Sequence, residues 1–272
     1  MSLEEIEQLL LVHRISPNKL LGQNFMVEPN FYPKLCSYAE LSTSDVILDA
    51  GAGFGFLTRF LSDKCKAVVA VEKDPHVASV LREKIRGLRN VTVVEGDVLK
   101  VEMPPFNKVI AIPPYYLSSN LVLWLLERRV DCAVMILQKE FARRLVASVG
   151  TEEYGWLTVF THLHANVELL DPVPKDKFYP LPEVDSIIIS LKLWNTKPFA
   201  ARNEALFLRL VKWLFTQRNK KIAKAITPFI KSNYKLSKQD AEKLAFSMPF
   251  YDRRARELMP QDFGAIANAL PN

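Results

Sequence analysis

The sequence predicts an α/β protein, a doubly wound parallel sheet followed by a small helical domain. Three observations predict it. Short apolar runs of strand length, at 46–48, 67–71, 91–94, 108–110 and 131–137, alternate with helix-like segments. Four successive runs end in glycine-rich, acidic or proline-rich loops, so those loops converge at the carboxyl edge of one sheet, where such folds bind ligands. The chain then changes character: residues 196–272 hold 15 Lys and Arg against 6 Asp and Glu, a net of +9, whereas residues 1–195 hold 21 against 24, a net of −3.

In chain order, residues 1–13 read as a short amphipathic helix, 17–22 as a turn, and Gln23 to Met26 as an ordered approach. Phe31, Leu35 and Tyr38 stand at helical spacing and predict a helix over 29–41. Strand 46–48 ends in the loop Asp49 to Gly55, and a helix begins at 57–61. Strand 67–71 ends in Glu72, a helix occupies 77–85, and strand 91–94 is followed by Glu95-Gly96-Asp97. Strand 108–110 runs into Ala111-Ile112-Pro113-Pro114-Tyr115-Tyr116, then come helix 121–127, strand 131–137 and helix 141–146. Runs 159–163, 165–170 and 187–193 read as later strands. Residues 195–198 read as a linker between a domain of residues 1–195 and a helical domain of residues 196–272, with helices over 204–224, 238–245 and 260–269.

With 272 residues and 49% hydrophobic content, the chain can bury a substantial core. It has no run of about 18 apolar residues, which argues against a membrane span. The acidic start M-S-L-E-E-I-E argues against a secretory signal. Cys36, Cys65 and Cys132 are scattered and read as reduced thiols of a cytoplasmic protein. His13, His76, His162 and His164 lack metal-site spacing, so no metal is expected, and no catalytic triad is evident. The basic C-terminal part points to a polyanion, most often nucleic acid. A solvated basic surface is the alternative.

The loop from Asp49 to Gly55 reads D-A-G-A-G-F-G. Glycines there permit positive φ and let backbone approach a ligand closely. A dinucleotide fingerprint would need glycine at position 56, which is Phe56. Gly51 and Gly53 therefore suit S-adenosylmethionine better than a nicotinamide cofactor. Glu72, about twenty residues beyond the glycines, can accept both ribose hydroxyls of an adenosine. Asp97 can accept an adenine amino group or act as a helix N-cap, and the two roles can coexist. Pro113 and Pro114 stiffen their loop and withhold N–H donors, which leaves an aromatic platform, Tyr115, beside free carbonyls. A polar acceptor is expected at Ile112, and isoleucine cannot supply one.

Five ordered stretches carry a resemblance. They are Leu21-Gly22-Gln23-Asn24-Phe25-Met26, then Leu137-Gln138-Lys139-Glu140 with Arg144-Leu145-Val146-Ala147, then Tyr154-Gly155-Trp156-Leu157-Thr158, then Phe178 to Ser186 (F-Y-P-L-P-E-V-D-S), then Phe215 to Lys221 (F-T-Q-R-N-K-K). With them, over roughly residues 18 to 260, the chain resembles the ribosomal RNA adenine N6,N6-dimethyltransferases. The resemblance implies a Rossmann-like class I methyltransferase sheet, S-adenosylmethionine as cofactor, and methylation of two adjacent adenosines near the 3′ end of small-subunit rRNA during ribosome biogenesis. It implies that Asn24 and Met26 close over the cofactor beside Gly51, Glu72 and Asp97, with Ile112 at the junction with the target base. Pro114 and Tyr115 fall on the family's N-[LI]-P-Y loop, and Tyr115 and Phe178 would sandwich a flipped adenine. The same resemblance makes Arg209, Lys212, Arg218, Lys220, Lys221 and Lys224, on one expected helix, contacts for RNA phosphates. A monomer is expected.

The sequence departs from that pattern where Ile112 and Pro113 replace the asparagine and the leucine or isoleucine. Losing one hydrogen bond to the amino group costs about 1–3 kcal/mol, or roughly 5- to 150-fold in rate. Slow transfer, a halt at one methyl group and an inactive RNA-binding assembly factor all stay open. Methylation of a protein glutamine is a third reading, suggested by Pro113-Pro114-Tyr115 and opposed by the basic C-terminal part.

Overall fold

The computed structural model describes residues 3–17 and 22–271. Residues 1–2 of the expected first helix, Leu21 with most of the expected turn at 17–22, and the last residue of the helical domain lie outside the described residues.

The chain opens with α1 (Leu3–Val12), β1 (Phe25–Met26), α2 (Phe31–Tyr38), β2 (Val46–Ala50), α3 (Phe56–Ser62), β3 (Ala67–Glu72), α4 (Pro75–Lys84), β4 (Val91–Glu95) and β5 (Lys108–Ala111). It continues with α5 (Ser118–Leu126), β6 (Cys132–Gln138), α6 (Lys139–Leu145), α7 (Trp156–His164), β7 (Ala165–Val173), β8 (Phe178–Tyr179) and β9 (Ser186–Leu193). The helices α8 (Glu204–Thr216), α9 (Ile222–Tyr234), α10 (Lys238–Phe246) and α11 (Pro260–Ala269) close it. Local chemistry sets several starts. Asp74 caps α4 by accepting from the N–H groups of His76 and Val77, with Pro75 in the first turn. Asn203 accepts from Leu206 N–H at 2.9 Å at the start of α8, and Ser237 from Asp240 N–H at the start of α10.

The seven-stranded sheet has the order β4-β3-β2-β5-β6-β9-β7, and β1 pairs separately with β8. Pairs β3–β4, β2–β3, β2–β5 and β5–β6 are parallel, as expected, but β9 runs antiparallel to β6, with Gln138 opposite Ser186. The sheet is therefore mixed. No crossover helix returns the chain to the starting edge between β7 and β9, so β9 enters from the opposite end.

Contacts divide the chain into two compact units. The first runs to Ala142 and resumes at Val167–Leu193; the second takes Arg143–Asn166 together with the chain from Trp194. The second unit thus includes a stretch expected to belong with residues 1–195. In the first unit, Ile47, Leu61, Ile110, Val134, Ile136 and Ile188 meet in one buried cluster, each contributing about 1.5–3 kcal/mol by leaving water. In the second, Tyr154 donates to Leu258 O at 2.7 Å, and Phe215 packs on both Tyr154 and Phe263.

Two expected elements are corrected. The run 159–163 lies inside α7, not in a strand; Leu157 to Thr161, Leu163 and His164 are all buried. A helix with seven of its nine residues buried shows no broad polar stripe to reveal its period. The expected helix over 204–224 is broken. It ends at Thr216 and restarts at Ile222, after an extended Lys221 with φ −61° and ψ 144°. The restart is held from elsewhere: Ile222 N–H donates to Arg253 O at 2.7 Å and Ala223 N–H to Tyr251 O at 2.9 Å. Those carbonyls take donors that a helix N-terminus otherwise leaves free, and no local sequence signal announces them.

Candidate cofactor and target-base site

The glycine loop hooks over the end of β3. Gly51 and Ala52 donate to Val71 O at 2.9 and 3.0 Å. Gly51 has φ +78°, and a Cβ there would stand 2.5 Å from Pro114 Cδ. Only glycine lets the loop after β2 and the proline loop after β5 approach this closely. Glu72 completes the join: its carboxylate oxygens accept from Gly53 N–H and Asp74 N–H, each at 2.9 Å.

These loops enclose a cleft of about 630 Å³ at the carboxyl edge of the parallel strands, lined by Asn24, Gly51, Gly53, Glu72, Asp97, Ile112 and Pro114. Asn24 donates to Gly22 O at 3.1 Å, which shapes the approach segment into a rim. Met26 is buried, 4% exposed, and lines an adjoining cavity of about 410 Å³ that shares Asn24, Gly51, Gly53 and Ile112 with the cleft. Asp97 accepts from Leu99 N–H at 3.1 Å and stands 3.4 Å from Lys73 Nζ; a turn rather than an α-helix follows it.

Burial dominates the electrostatics. It pushes the Glu72 carboxyl above its ordinary value, against the lowering effect of the backbone donors. Asp49, beneath the loop, accepts from Thr58 Oγ1 at 2.7 Å and is pushed up from 3.8 to about 7, by burial first and by the nearby Glu72 charge in addition. Asp49 therefore keeps in the folded chain a proton that it releases when unfolded. Its contribution to folding stability falls as pH rises from 3.8 toward about 7 and is level above that window. Asp49→Asn is expected to remove this slope: its melting temperature, relative to wild type, rises between about pH 4.5 and about pH 7.5. Parallel melting curves for the two proteins check it.

The target loop is arranged differently from the expected sandwich. Tyr116, not Tyr115, lines the cleft. The Tyr115 hydroxyl is hydrogen-bonded to Ser186 Oγ at 2.7 Å, and its ring meets Phe178 at 6.3 Å and 66°. A base held between two rings needs them parallel, and these are edge to face. Phe178 is 4% exposed and paired with Met26 across β1 and β8, a packed aromatic in the core cluster. Ile112 packs against the same cluster, and Pro113 is buried. The Pro114 carbonyl accepts from Leu117 N–H at 2.9 Å; that of Pro113 accepts no backbone hydrogen bond among the described residues.

The six basic residues do not share one helix. Arg209 and Lys212 lie in α8, Arg218, Lys220 and Lys221 in the turn, and Lys224 in α9. Arg218 donates to the carbonyls of Thr151 and Glu152, and Lys212 lies 4.5 Å from the Trp156 ring centre. Arg209 is hydrogen-bonded to Asn233. Lys220, Lys221 and Lys224 are exposed.

Sequence reasoning passed over Lys73, Tyr116 and Gln23, which line the cleft, and Ser186, which holds Tyr115. Lys73 and Tyr116 adjoin residues it had chosen, so a wider reading of each strand-end loop would have found them. Nothing in the sequence ties Ser186 to Tyr115. Among the described residues, no group of three or more His, Cys, Asp or Glu is placed to hold a metal ion.

A mixed sheet of this order, with a glycine loop after β2 and acids at the ends of β3 and β4, defines a Rossmann-like methyltransferase. Comparison with known proteins narrows that class. The family model for ribosomal RNA adenine dimethylase matches residues 15–255, and the chain belongs to that family. It is 38% identical over 250 residues to a probable ribosomal RNA small subunit methyltransferase A of Methanosarcina acetivorans, covering 91% of each chain. It is 36% identical over 264 residues to one of Thermococcus kodakarensis, covering 95% of this chain and 92% of the other. Among solved structures it is similar to a dimethyladenosine transferase from Plasmodium falciparum, with TM-score 0.75, 26% identity, and 89% and 95% coverage of the two chains. It is also similar to the 23S rRNA methyltransferase ErmE, with TM-score 0.67, 28% identity, and 90% and 99% coverage. The methyl donor of the family is S-adenosylmethionine.

Proposed function

We propose that the chain transfers methyl groups from S-adenosylmethionine to N6 of two adjacent adenosines near the 3′ end of small-subunit rRNA, during ribosome biogenesis in the cytoplasm. The observation that carries this reading is the meeting of the glycine loop, Glu72, Asp97 and the loop that carries Ile112, Pro114 and Tyr116 around one cleft. Two curated relatives of 36–38% identity that carry small-subunit names support the choice of RNA.

The donor set fits the cofactor. Glu72 offers the remaining lone pairs of both oxygens to the ribose hydroxyls, and Asp97 offers a carboxylate to the adenine amino group. The close approach at Gly51 lets backbone line the pocket, and Asn24 closes its rim while Met26 packs beneath. When bound, the cofactor supplies a methyl group on a sulfonium, an electrophile that needs no metal.

The chain's task is to present a poor nucleophile. Adenine N6 delocalises its lone pair into the ring, so acceptors that hold its N–H groups turn the lone pair toward the methyl group. Here the Pro113 carbonyl takes that role. Tyr115 supplies a stacking face, braced edge-on by Phe178 and tethered by Ser186. Leaving the RNA stack costs the base a few kcal/mol, offset by that aromatic contact. The proton becomes acidic once nitrogen is alkylated, so a strong general base is unnecessary. In the second unit, Lys220, Lys221 and Lys224 are exposed and available to meet phosphates. The division of labour is thus a cofactor domain within residues 1–195 and RNA contact within residues 196–272, in a monomer.

A second reading is favoured by Ile112, whose apolar side chain faces the cleft where an acceptor is expected: an RNA-binding assembly factor with weakened or no transfer. Incubation with labelled S-adenosylmethionine and under-methylated small subunits separates the two. Label in rRNA adenosine is expected; no label above background, with cofactor binding intact, favours the second.

A further inference from the structure

The turn at 217–221 and the segment after α10 are one structural piece. Arg254 Nη1 donates to Asn219 O at 2.6 Å, Lys221 and Arg254 form an isolated antiparallel bridge, and the carbonyls of Tyr251 and Arg253 hold the first N–H groups of α9. Basic residues 33 positions apart in sequence therefore meet: Lys221 lies opposite Arg254, with Lys220 and Arg253 next to them in the chain and Lys224 in the first turn of α9. The acids among them are Asp252, which is exposed, and Glu257, whose oxygens lie 3.6 Å from Arg253 and 3.8 Å from Arg254. The lysines hold most of the uncompensated charge.

At the end of α10 and along the segment that follows it, three large rings are exposed: Phe246, Phe250 and Tyr251. Phe246 is 58% exposed and Tyr251 45%; their centres are 5.9 Å apart and their planes tilted by 57°. Single exposed hydrophobics are ordinary, but two neighbouring aromatics, one on the backbone that holds the first turn of α9, are the components of a stacking platform for bases whose phosphates the lysines there can meet.

We propose that this surface binds single-stranded RNA, with Phe246 and Tyr251 stacking on unpaired bases and Lys220, Lys221 and Lys224 meeting the phosphates. The inference rests on RNA being the partner and goes beyond the proposed function by assigning the aromatic residues. A single strand fits better than a duplex, because paired bases already stack on one another and hide their faces. A protein partner would gain from the rings but not from the surrounding positive charge.

The test measures binding of the full chain to a labelled oligouridylate of about 12 nucleotides and to a duplex RNA of the same length, over a range of salt. F246A/Y251A is expected to lose roughly tenfold or more in affinity for the single strand, with the salt slope and the duplex affinity unchanged. Y251F, which keeps the ring, is expected to bind as wild type does. K220A/K221A/K224A is expected to flatten the salt slope by about two to three. Both rings are exposed, and a melting curve checks that each variant folds. Single-strand affinity within twofold of wild type for F246A/Y251A overturns the inference, as does an equal loss on single strand and duplex. Unchanged oligonucleotide affinity with weakened binding to intact small subunits also overturns it, by moving the rings to a protein contact. No methyl transfer is read, so an inactive protein that shows this binding pattern refutes the proposed function and not the inference.

Discussion

Glu72→Ala is expected to weaken S-adenosylmethionine binding by roughly 100-fold or more. Two hydrogen bonds from ribose hydroxyls to a carboxylate are removed, at about 1.5–3 kcal/mol each, and every 1.4 kcal/mol is about tenfold in affinity. The same carboxylate also accepts from Gly53 N–H and Asp74 N–H, so alanine frees the glycine loop from the start of α4. Glu72→Gln keeps the shape and one acceptor oxygen and is expected to fall between alanine and wild type. Titration calorimetry reads all three; an unchanged Kd for the alanine variant removes Glu72 from the site.

Ile112→Asn is expected to act in the opposite direction on catalysis, raising the rate of methyl transfer roughly 5- to 150-fold. The side chain at 112 lines the cleft and the adjoining cavity, so an amide there gains a position from which to accept from adenine N6. Its other side packs on the core cluster, so the gain in rate is expected with some loss of stability, about 1 kcal/mol. Cofactor affinity is expected to change little, because the added acceptor serves the target base. Single-turnover kinetics separate the effects. An unchanged rate shows that main-chain carbonyls such as that of Pro113 suffice.

The glycine loop, Glu72 and Asp97 were readable because their chemistry is local: each ends a short apolar strand, and parallel strands bring such ends to one edge. The antiparallel turn of β9 was not readable, since an apolar run of eight residues has no direction. α7 was hidden for a related reason, being buried at seven of its nine positions. The break at Thr216 depends on carbonyls of Tyr251 and Arg253, some thirty residues on. Tyr115 and Phe178 do come together, but their mutual angle follows from the Ser186 hydroxyl and from the β1–β8 pairing. Asp49 shows the same limit at the level of charge. Its retained proton follows from its burial and then from the nearby Glu72 charge, neither of which the sequence shows.

The account turns on whether this cleft, without an asparagine at 112, delivers methyl groups to adenine N6. The most direct test is mass spectrometry of nuclease-digested rRNA from under-methylated small subunits treated with the wild-type chain and S-adenosylmethionine. Methylated adenosine confined to two neighbouring positions near the 3′ end, carrying two methyl groups each at completion, is the predicted result. Unmodified adenosine at both positions, from a protein shown by calorimetry to bind the cofactor, would contradict the account.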